Sequence, residues 1–504
     1  MIECKNDGPL RAVLWFWMWV FLICNYSYFF NYQRIEQAEA AFKAQDTKIA
    51  ALYANPTFHD EVVSSVACTL HDEGFFVMVY IGNGLHIGNF MIPLSGKRQR
   101  YSEAFYGECV DKFVTIYDPI AEEDILADPD LLVFVTYPML KHNFGHDLQA
   151  MQLLKSVKGK QSSTGVVLIT HRSGEALHET LPIVESYIPK DRITFVFLGE
   201  HTKETTKLAM EAEDKPTVYV GPDQPAATGA VDTKSKEYRL SHFYPVMPME
   251  YIGKSRLQGE AALFDYVAEW TSVPAPERSS DGWNMQTFSI QGNFGGKHAH
   301  RKDVKGTVAC LQRVENSYEE DVGTVAEGPM QINARPESGK TPLRVGLDLI
   351  GHLTEELSLP QLRYGDVRFL SDLQPVDYYR AINRTRFMIA AVGEEDYYES
   401  RATSSVPASL IAGIPLATNK RFLQLYPCLR DAKVHKMIAK NTECESIAAA
   451  ARLSESEYEE ALKEVKHCAA WMYQAGRELF SMLAKEAHDR RVSSRHKGAD
   501  AIPV

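Results

Sequence analysis

Short unbroken apolar runs, each closed by glycine or polar residues, recur along this chain and alternate with stretches of helical periodicity. The runs at 75–81, 113–117, 131–136, 165–170, 193–198 and 217–220 have the length and composition of strands buried on both faces. Amphipathic segments near 146–157, 175–187 and 202–212 lie between them. Strands alternating with helices of this size predict a parallel sheet covered by helices. A helical segment at 257–270 closes this first domain, and TSVPAPERSSDG at 271–282 reads as a linker. The pattern then restarts, with strands at 287–291, 343–350, 366–370, 386–392 and 414–417 and a helix at 377–384. Residues 454–491 are helical in spacing, and 492–504 form a polar tail that is expected to be disordered. The predicted class is α/β: two Rossmann-like parallel-sheet domains facing a cleft, preceded by one transmembrane helix.

The amino terminus departs from this pattern. Residues 12–32 are almost wholly apolar and rich in aromatic side chains. That matches the roughly 20 residues that span a bilayer. No small-residue cleavage site follows, and Lys5 and Arg11 precede the run, so it reads as a signal anchor with its amino terminus in the cytosol. The predicted organisation is a tail at 1–11, an anchor at 12–32, a stem at 33–70, a first domain at 71–270, a linker at 271–283, a second domain at 284–452, helices at 453–491 and a tail at 492–504.

A chain of 504 residues with 45% hydrophobic and 24% charged residues is globular in composition. A net charge of −12 argues against a nucleic-acid binder. Cys68, Cys109, Cys310, Cys428, Cys444 and Cys468 lie beyond the anchor, where an oxidising compartment permits disulfides of undetermined connectivity. None has zinc spacing. Asn383-Arg384-Thr385 is a glycosylation sequon.

The most informative stretch is 386–425, RFMIAAVGEEDYYESRATSSVPASLIAGIPLATNKRFLQL. A strand ends at Gly393, and an acidic loop follows. Thr403, Ser404 and Ser405 then stand at a helix start, where hydroxyls accept from free backbone N–H groups. Pro407 fits the first turn and Gly413 ends the helix. A hydroxyl-rich helix start at the carboxyl end of a parallel strand is a place for anions, phosphates above all. Upstream, the strand at 287–291 runs into GNFGGKHAHRKD, where Lys297, His298, His300, Arg301 and Lys302 crowd one glycine-rich loop. Glycines let backbone approach a phosphate, and Lys and Arg supply charge.

The run SSVPASLIAGIPLAT, followed by Leu423 and Tyr426, resembles the nucleotide-sugar half of GT-B glycosyltransferases. The resemblance covers roughly residues 285–430. It implies a donor held by Lys297, Arg301, Glu399, Thr403, Ser404, Ser405 and Ser409. The co-substrate is a nucleotide sugar, with no metal or other cofactor, and the acceptor is a hydroxyl of a glycan, protein or lipid. With the anchor, it implies a Golgi or endoplasmic reticulum enzyme whose catalytic part is lumenal. Many retaining members carry a glutamate pair at fixed spacing across this unit. At that spacing Glu399 would be matched by Pro407, so the pair is absent. The Asp377-Tyr378-Tyr379 helix resembles a packing element of related transferases.

Two histidines of the first domain, His86 in a glycine-rich loop and His171 at a strand end, are candidates for the base that takes the acceptor's proton. Asp128-Pro129-Asp130 raises the rival GT-A reading, in which paired carboxylates hold a divalent cation, though here the pair precedes its apolar run and reads as a solvated turn. A second alternative is a non-catalytic lumenal binding protein with a degenerate transferase fold.

Overall fold

Wholly apolar runs become strands here because the middle of a parallel sheet hides both faces of a strand. The structure, a computed structural model, describes residues 47–54, 60–82, 84–87, 90–93, 109–116, 120, 125, 129–135, 148–157, 163–170, 181–212, 215, 217–220, 238–247, 284–294, 301–322, 343–353, 357–363, 365–371, 373 and 375–499. The predicted anchor, the linker at 271–283 and the helix at 257–270 lie outside the described residues. No helix among the described residues is long and apolar enough to cross a membrane.

The first lobe contains β1 (Ile49–Ala54), α1 (Asp60–Asp72), β2 (Phe76–Gly82), β3 (Gly84–Ile87), β4 (Phe90–Pro93), β5 (Lys112–Ile116), β6 (Leu131–Val135), α2 (Leu148–Ser156), β7 (Gly165–Thr170), β8 (Ile193–Phe197), α3 (Glu200–Glu211), β9 (Thr217–Tyr219) and β10 (Tyr238–His242). Eight of these strands form one sheet in the order β5-β2-β1-β6-β7-β8-β10-β9, with every neighbouring pair parallel. Its order reverses between β1 and β6. The predicted loop around His86 is instead an antiparallel hairpin of β3 and β4.

The expected stem at 33–70 is corrected at its carboxyl end. Ile49–Ala54 is buried at every position and pairs with both β2 and β6, so it is a central strand. Its sequence, IAALYA, is rich in alanine and shows no alternation, so periodicity could not separate it from a helix. The next helix, α1, packs its valines and Leu70 into the same core.

The second lobe contains β11 (Asn284–Phe294), α4 (Val304–Val322), β12 (Leu343–Leu353), β13 (Val367–Ser371), α5 (Pro375–Asn383), β14 (Phe387–Ile389), α6 (Asp396–Glu399), α7 (Ser405–Ala412) and β15 (Leu416–Ala417). Four short helices follow, α8 (Lys420–Leu423), α9 (Pro427–Asp431), α10 (Lys433–Ile438) and α11 (Glu443–Ala451), and then the long α12 (Glu455–Ala499). The sheet order is β13-β12-β11-β14-β15, again all parallel. It reverses between β11 and β14, the kind of position where ligands of open α/β sheets bind. Near the carboxyl ends of β11 and β12, Gly292 and Gly351 are register partners. Gly351 has φ +150°, and a Cβ on it would meet the Gly292 carbonyl oxygen at 1.9 Å. Only glycine lets the two backbones run that close.

One apolar cluster joins the lobes. It runs from Leu52, Val66 and Val79 through Phe243, Val246 and Phe480 to Val406, Leu410 and Tyr426. The long helix α12 crosses between the lobes along this cluster. Glu464 accepts from Val434 N (2.8 Å) in the second lobe. Further along, Tyr473 donates to Asp72 (3.0 Å) and Arg239 pairs with Glu486 (2.7 Å) in the first. Phe480 and Leu483 on this helix are buried, whereas Trp471 is 43% exposed. The helix also runs through Ala499, so 492–499 is not a disordered tail.

Late in its course the helix is fastened to Asp130. This carboxylate is wholly buried, accepts from Ile49 N at 2.7 Å, and meets Arg491 Nε at 3.0 Å and His488 Nδ1 at 3.2 Å. The reading of Asp130 as half of a solvated turn or of a cation site is therefore corrected: the carboxylate is used up in fastening the helix. Asp128 lies outside the described residues, and no group of acidic, histidine or cysteine side chains suited to a metal occurs among the described residues.

The cysteines pair as Cys68–Cys109, Cys310–Cys444 and Cys428–Cys468. The first ties α1 to the approach to β5, the second ties α4 to α11, and the third ties α9 to α12. Each closes a loop of at least 40 residues and so restricts the unfolded chain.

Candidate functional site

The second sheet turns the chemistry toward its switch point. Gln291, close to the carboxyl end of β11, donates from Nε2 to Ser404 Oγ at 2.7 Å. Its Oε1 accepts from Tyr378 OH on α5 at 2.8 Å. Gln291 thus links the Tyr378 phenol to the Ser404 hydroxyl. Ser404 Oγ is thus an acceptor toward Gln291, and its own hydrogen remains to be donated elsewhere. Tyr378 therefore orients a polar relay, a role beyond the packing expected of its helix.

Ser405 is fully buried, and its Oγ accepts from Lys302 Nζ at 2.8 Å. Lys302 Nζ also donates to the Ala390 carbonyl at 2.6 Å, at the end of β14. An ammonium has three donors, so one more remains for a ligand. The lysine's stem passes Gly292, where an added Cβ would lie 3.4 Å from Cε. Burial of the ammonium lowers its pKa to about 8, partly opposed by the negative charge of Glu443. A desolvated cation of this kind is eased by an anionic ligand.

The helix start itself offers less than its sequence suggests. Thr403 Oγ1 accepts from Ser405 N at 3.2 Å, Pro407 has no N–H, and Ala408 N already donates to Ser404 O at 3.0 Å. Hydroxyls and the lysine, more than free backbone, define the polarity here. Arg301 adjoins them: its carbonyl accepts from Gly393 N at 3.1 Å, and its buried Nε has no partner among the described residues.

Two expected donor ligands are placed elsewhere. Ser409 is fully buried inside α7 and donates to the Ile414 carbonyl at 2.7 Å, so it secures the helix's exit. The Glu399 side chain is exposed, with Arg421 3.7 Å away, while its carbonyl accepts from Thr205 of the first lobe at 2.7 Å. Ser409 is therefore corrected from binding to structure, while the Glu399 carboxylate stands open to solvent beside Arg421. Lys297 and His171 lie outside the described residues, and His86 is on β3 with nothing described of its side chain. The expected use of the basic loop shifts to Lys302, which sequence reading noticed but did not separate from its neighbours. Gln291 carried no signal, since glutamine at a strand end is common and its partners lie 87 and 113 residues away.

The carboxyl ends of both sheets approach one seam. His201, at the start of the helix after β8, donates from Nε2 to the Arg401 carbonyl at 3.2 Å. Burial holds this imidazole below its usual pKa, so it is neutral at pH 7, with its proton on the nitrogen that faces the carbonyl. The first lobe is thereby fastened to the same loop that leads into Thr403 and Ser404.

The sequon is spent on packing. Asn383 Nδ2, the atom to which a glycan would be attached, donates to the Ala412 carbonyl at 2.7 Å. Thr385 is buried and its hydroxyl donates to Ile382 O at 2.7 Å. The folded chain is expected to carry no glycan at Asn383, which intact-mass measurement before and after glycosidase treatment checks. Asn383→Ala should lose about 1 kcal/mol of stability, as typical for one hydrogen bond.

No protein-family model matches the chain, and no curated protein matches it in sequence. Among solved structures it is similar to an α,α-trehalose-phosphate synthase (UDP-forming) from Burkholderia vietnamiensis, at 7% identity over 88% of this chain and 99% of that one, with a TM-score of 0.48. A trehalose-6-phosphate structure from E. coli bound with UDP-2-fluoro glucose matches at 9% identity over 91% and 100%, with a TM-score of 0.40. A spinosyn forosaminyltransferase matches at 12% identity over 88% and 100%, with a TM-score of 0.37. These likenesses are too distant to bear on the chemistry of the site, which rests on the residues above.

Proposed function

We propose that this protein is a glycosyltransferase of the GT-B type that takes its sugar from a nucleoside-diphosphate donor. The observation that carries the reading is the meeting of Lys302 Nζ with Ser405 Oγ at 2.8 Å, at the β11/β14 switch point. The Lys302 ammonium lies there with the Ser404 and Ser405 hydroxyls, the groups a pyrophosphate would need. Lys302 and Arg301 meet the negative charge on the leaving diphosphate, and the Ser404 hydrogen is free to donate to one of its oxygens. Because this charge grows as the sugar departs, fixed donors lower the barrier without reorganising. In the reaction an acceptor hydroxyl oxygen bonds to the anomeric carbon, the bond from that carbon to the diphosphate breaks, and the hydroxyl proton passes to a base. His86 and His171 of the first lobe remain the proposed bases. The proposal extends to a metal-independent reaction, with a glycan, protein or lipid hydroxyl as acceptor. It also extends to a signal anchor at 12–32 holding the chain in the secretory pathway, which three disulfides support.

The experiment is a thermal-shift screen of the folded chain with nucleoside diphosphates, since a ligand of the native state alone raises apparent stability. One nucleotide is expected to stabilise the wild type, and Ser404→Ala with Ser405→Ala to weaken its binding about tenfold, as loss of charge-assisted hydrogen bonds would. No shift with any nucleoside diphosphate would remove the reading. The absent glutamate pair favours one second reading, a donor-binding protein without turnover. It is distinguished by nucleotide binding with no hydrolysis or transfer of the matching nucleotide sugar.

A further inference from the structure

Two side chains of the first lobe reach across to one short segment of the second. On α3, His201 donates from Nε2 to the Arg401 carbonyl at 3.2 Å, and Thr205, one helical turn on, donates to the Glu399 carbonyl at 2.7 Å. The Thr205 hydroxyl also lies 3.0 Å from the His201 carbonyl, the usual back-bond of a helical threonine, and the contact across the lobes is the shorter. The imidazole has little freedom to turn. It lies against Gly199, where a Cβ would come 3.0 Å from its Cε1, and it meets the buried Tyr426 ring edge-on, with centroids 6.1 Å apart. Its Nδ1 is buried with no partner among the described residues, so the bond to Arg401 is the one hydrogen bond this ring makes there.

The gripped segment is itself a closed loop. Arg401 is buried, its Nη1 meets Glu394 at 3.2 Å, and its guanidinium lies 5.0 Å over the Tyr397 ring. Residues 394–401 are thereby tied end to end, and Thr403 follows directly after Ala402. Thr403 Oγ1 accepts from Ser405 N at 3.2 Å, while Ser404 meets Gln291 at 2.7 Å and Ser405 meets Lys302 at 2.8 Å. Resting on the glycosyltransferase reading, we infer that His201 and Thr205 are positioning residues: by holding the carbonyls of Arg401 and Glu399 they set the 394–401 loop, and through it the Ser404 and Ser405 hydroxyls that serve the donor's diphosphate. Neither residue touches the donor; both act through the chain path between Glu399 and Ser405. The second lobe thus binds the donor in a geometry that the first lobe maintains.

The test joins hydrogen exchange of the full chain without ligand to nucleotide affinity. The amides to follow are Ser400 N, which donates to Asp396 O at 2.9 Å, and Ser405 N on Thr403. In His201→Ala both are expected to exchange about fivefold faster, and affinity for the stabilising nucleoside diphosphate to fall about fivefold, the scale of one hydrogen bond. His201→Gln, whose amide nitrogen can stand where Nε2 stands, should restore both. Unchanged exchange or unchanged affinity in the alanine variant overturns the inference, as does a glutamine variant that restores neither. Should His201→Ala not fold, Thr205→Val removes the other grip at nearly constant volume. It is expected to speed exchange at Ser400 and to weaken nucleotide binding in the same direction, and no change in either overturns the inference. A wild type that binds no nucleoside diphosphate would defeat the functional reading, while the exchange measurement, which needs no ligand, would still decide whether the first lobe sets this loop.

Discussion

Replacing Asp130 with alanine is expected to destabilise the chain by about 3–5 kcal/mol, the cost of leaving one partner of a buried ion pair uncompensated. The guanidinium of Arg491, 4% exposed, would remain in a site without its carboxylate, and Ile49 N would lose the acceptor 2.7 Å away. That is a large part of the roughly 5–15 kcal/mol that holds a typical domain together. The loss is concentrated where β1, β6 and the end of α12 meet, so the helix should detach from the first lobe before the sheet opens. Urea denaturation should show a lower midpoint, and limited proteolysis should cut the end of α12 early. Asp130→Asn, which keeps the shape but not the charge, should cost less. Were Asp130 a cation ligand, the opposite pattern would follow: near-normal stability, and activity that depends on manganese.

Lys302→Ala is expected to abolish measurable nucleotide binding and to lower any transfer rate about 10²–10³-fold, the scale seen when a preorganised donor to a developing charge is removed. The lysine touches three parts of the site at once: the Ser405 hydroxyl, the Ala390 carbonyl and, through its stem, the space opened by Gly292. Its protonated form is the one that binds an anion. With a pKa lowered to about 8 by burial, the free protein's ammonium is charged below that pH and neutral above it. Nucleotide affinity should therefore be high below pH 8 and fall as pH rises through it, whereas an ordinary surface lysine would hold its charge to about pH 10. A bound diphosphate favours the charged form, so binding near pH 8 should take up protons from solution. Isothermal calorimetry in buffers of different ionisation enthalpy measures that uptake directly. Lys302→Arg, which keeps the charge but not the compact point geometry, should retain part of the affinity and lose the dependence on pH.

The amino-acid sequence by itself determined most of the elements. The run at Gly165–Thr170 is a strand over the very residues that its composition marks, and Ser405–Ala412 is a helix ended by Gly413 in the left-handed region, at φ 71°. These follow from short-range physics: period, β-branching, hydroxyls at a helix start and a glycine at its end. The proposal of a phosphate-type site near Ser404 and Ser405 also came from this local chemistry. Ile49–Ala54 escaped it, because an alanine-rich apolar hexamer states no period, and only its pairing with β2 and β6 made it a strand. Function within the site was decided by tertiary structure. Lys302 and Lys297 are both cations of one loop, yet what singles out Lys302 is the sheet order, which brings the Ser405 hydroxyl to its ammonium from 103 residues away. The same order gives Gln291 its serine, turns Ser409 inward to Ile414 and spends Asp130 on a helix end. Local patterning fixes what each segment becomes; which polar groups meet is set by strand pairing and burial, and these act between residues that are remote in sequence.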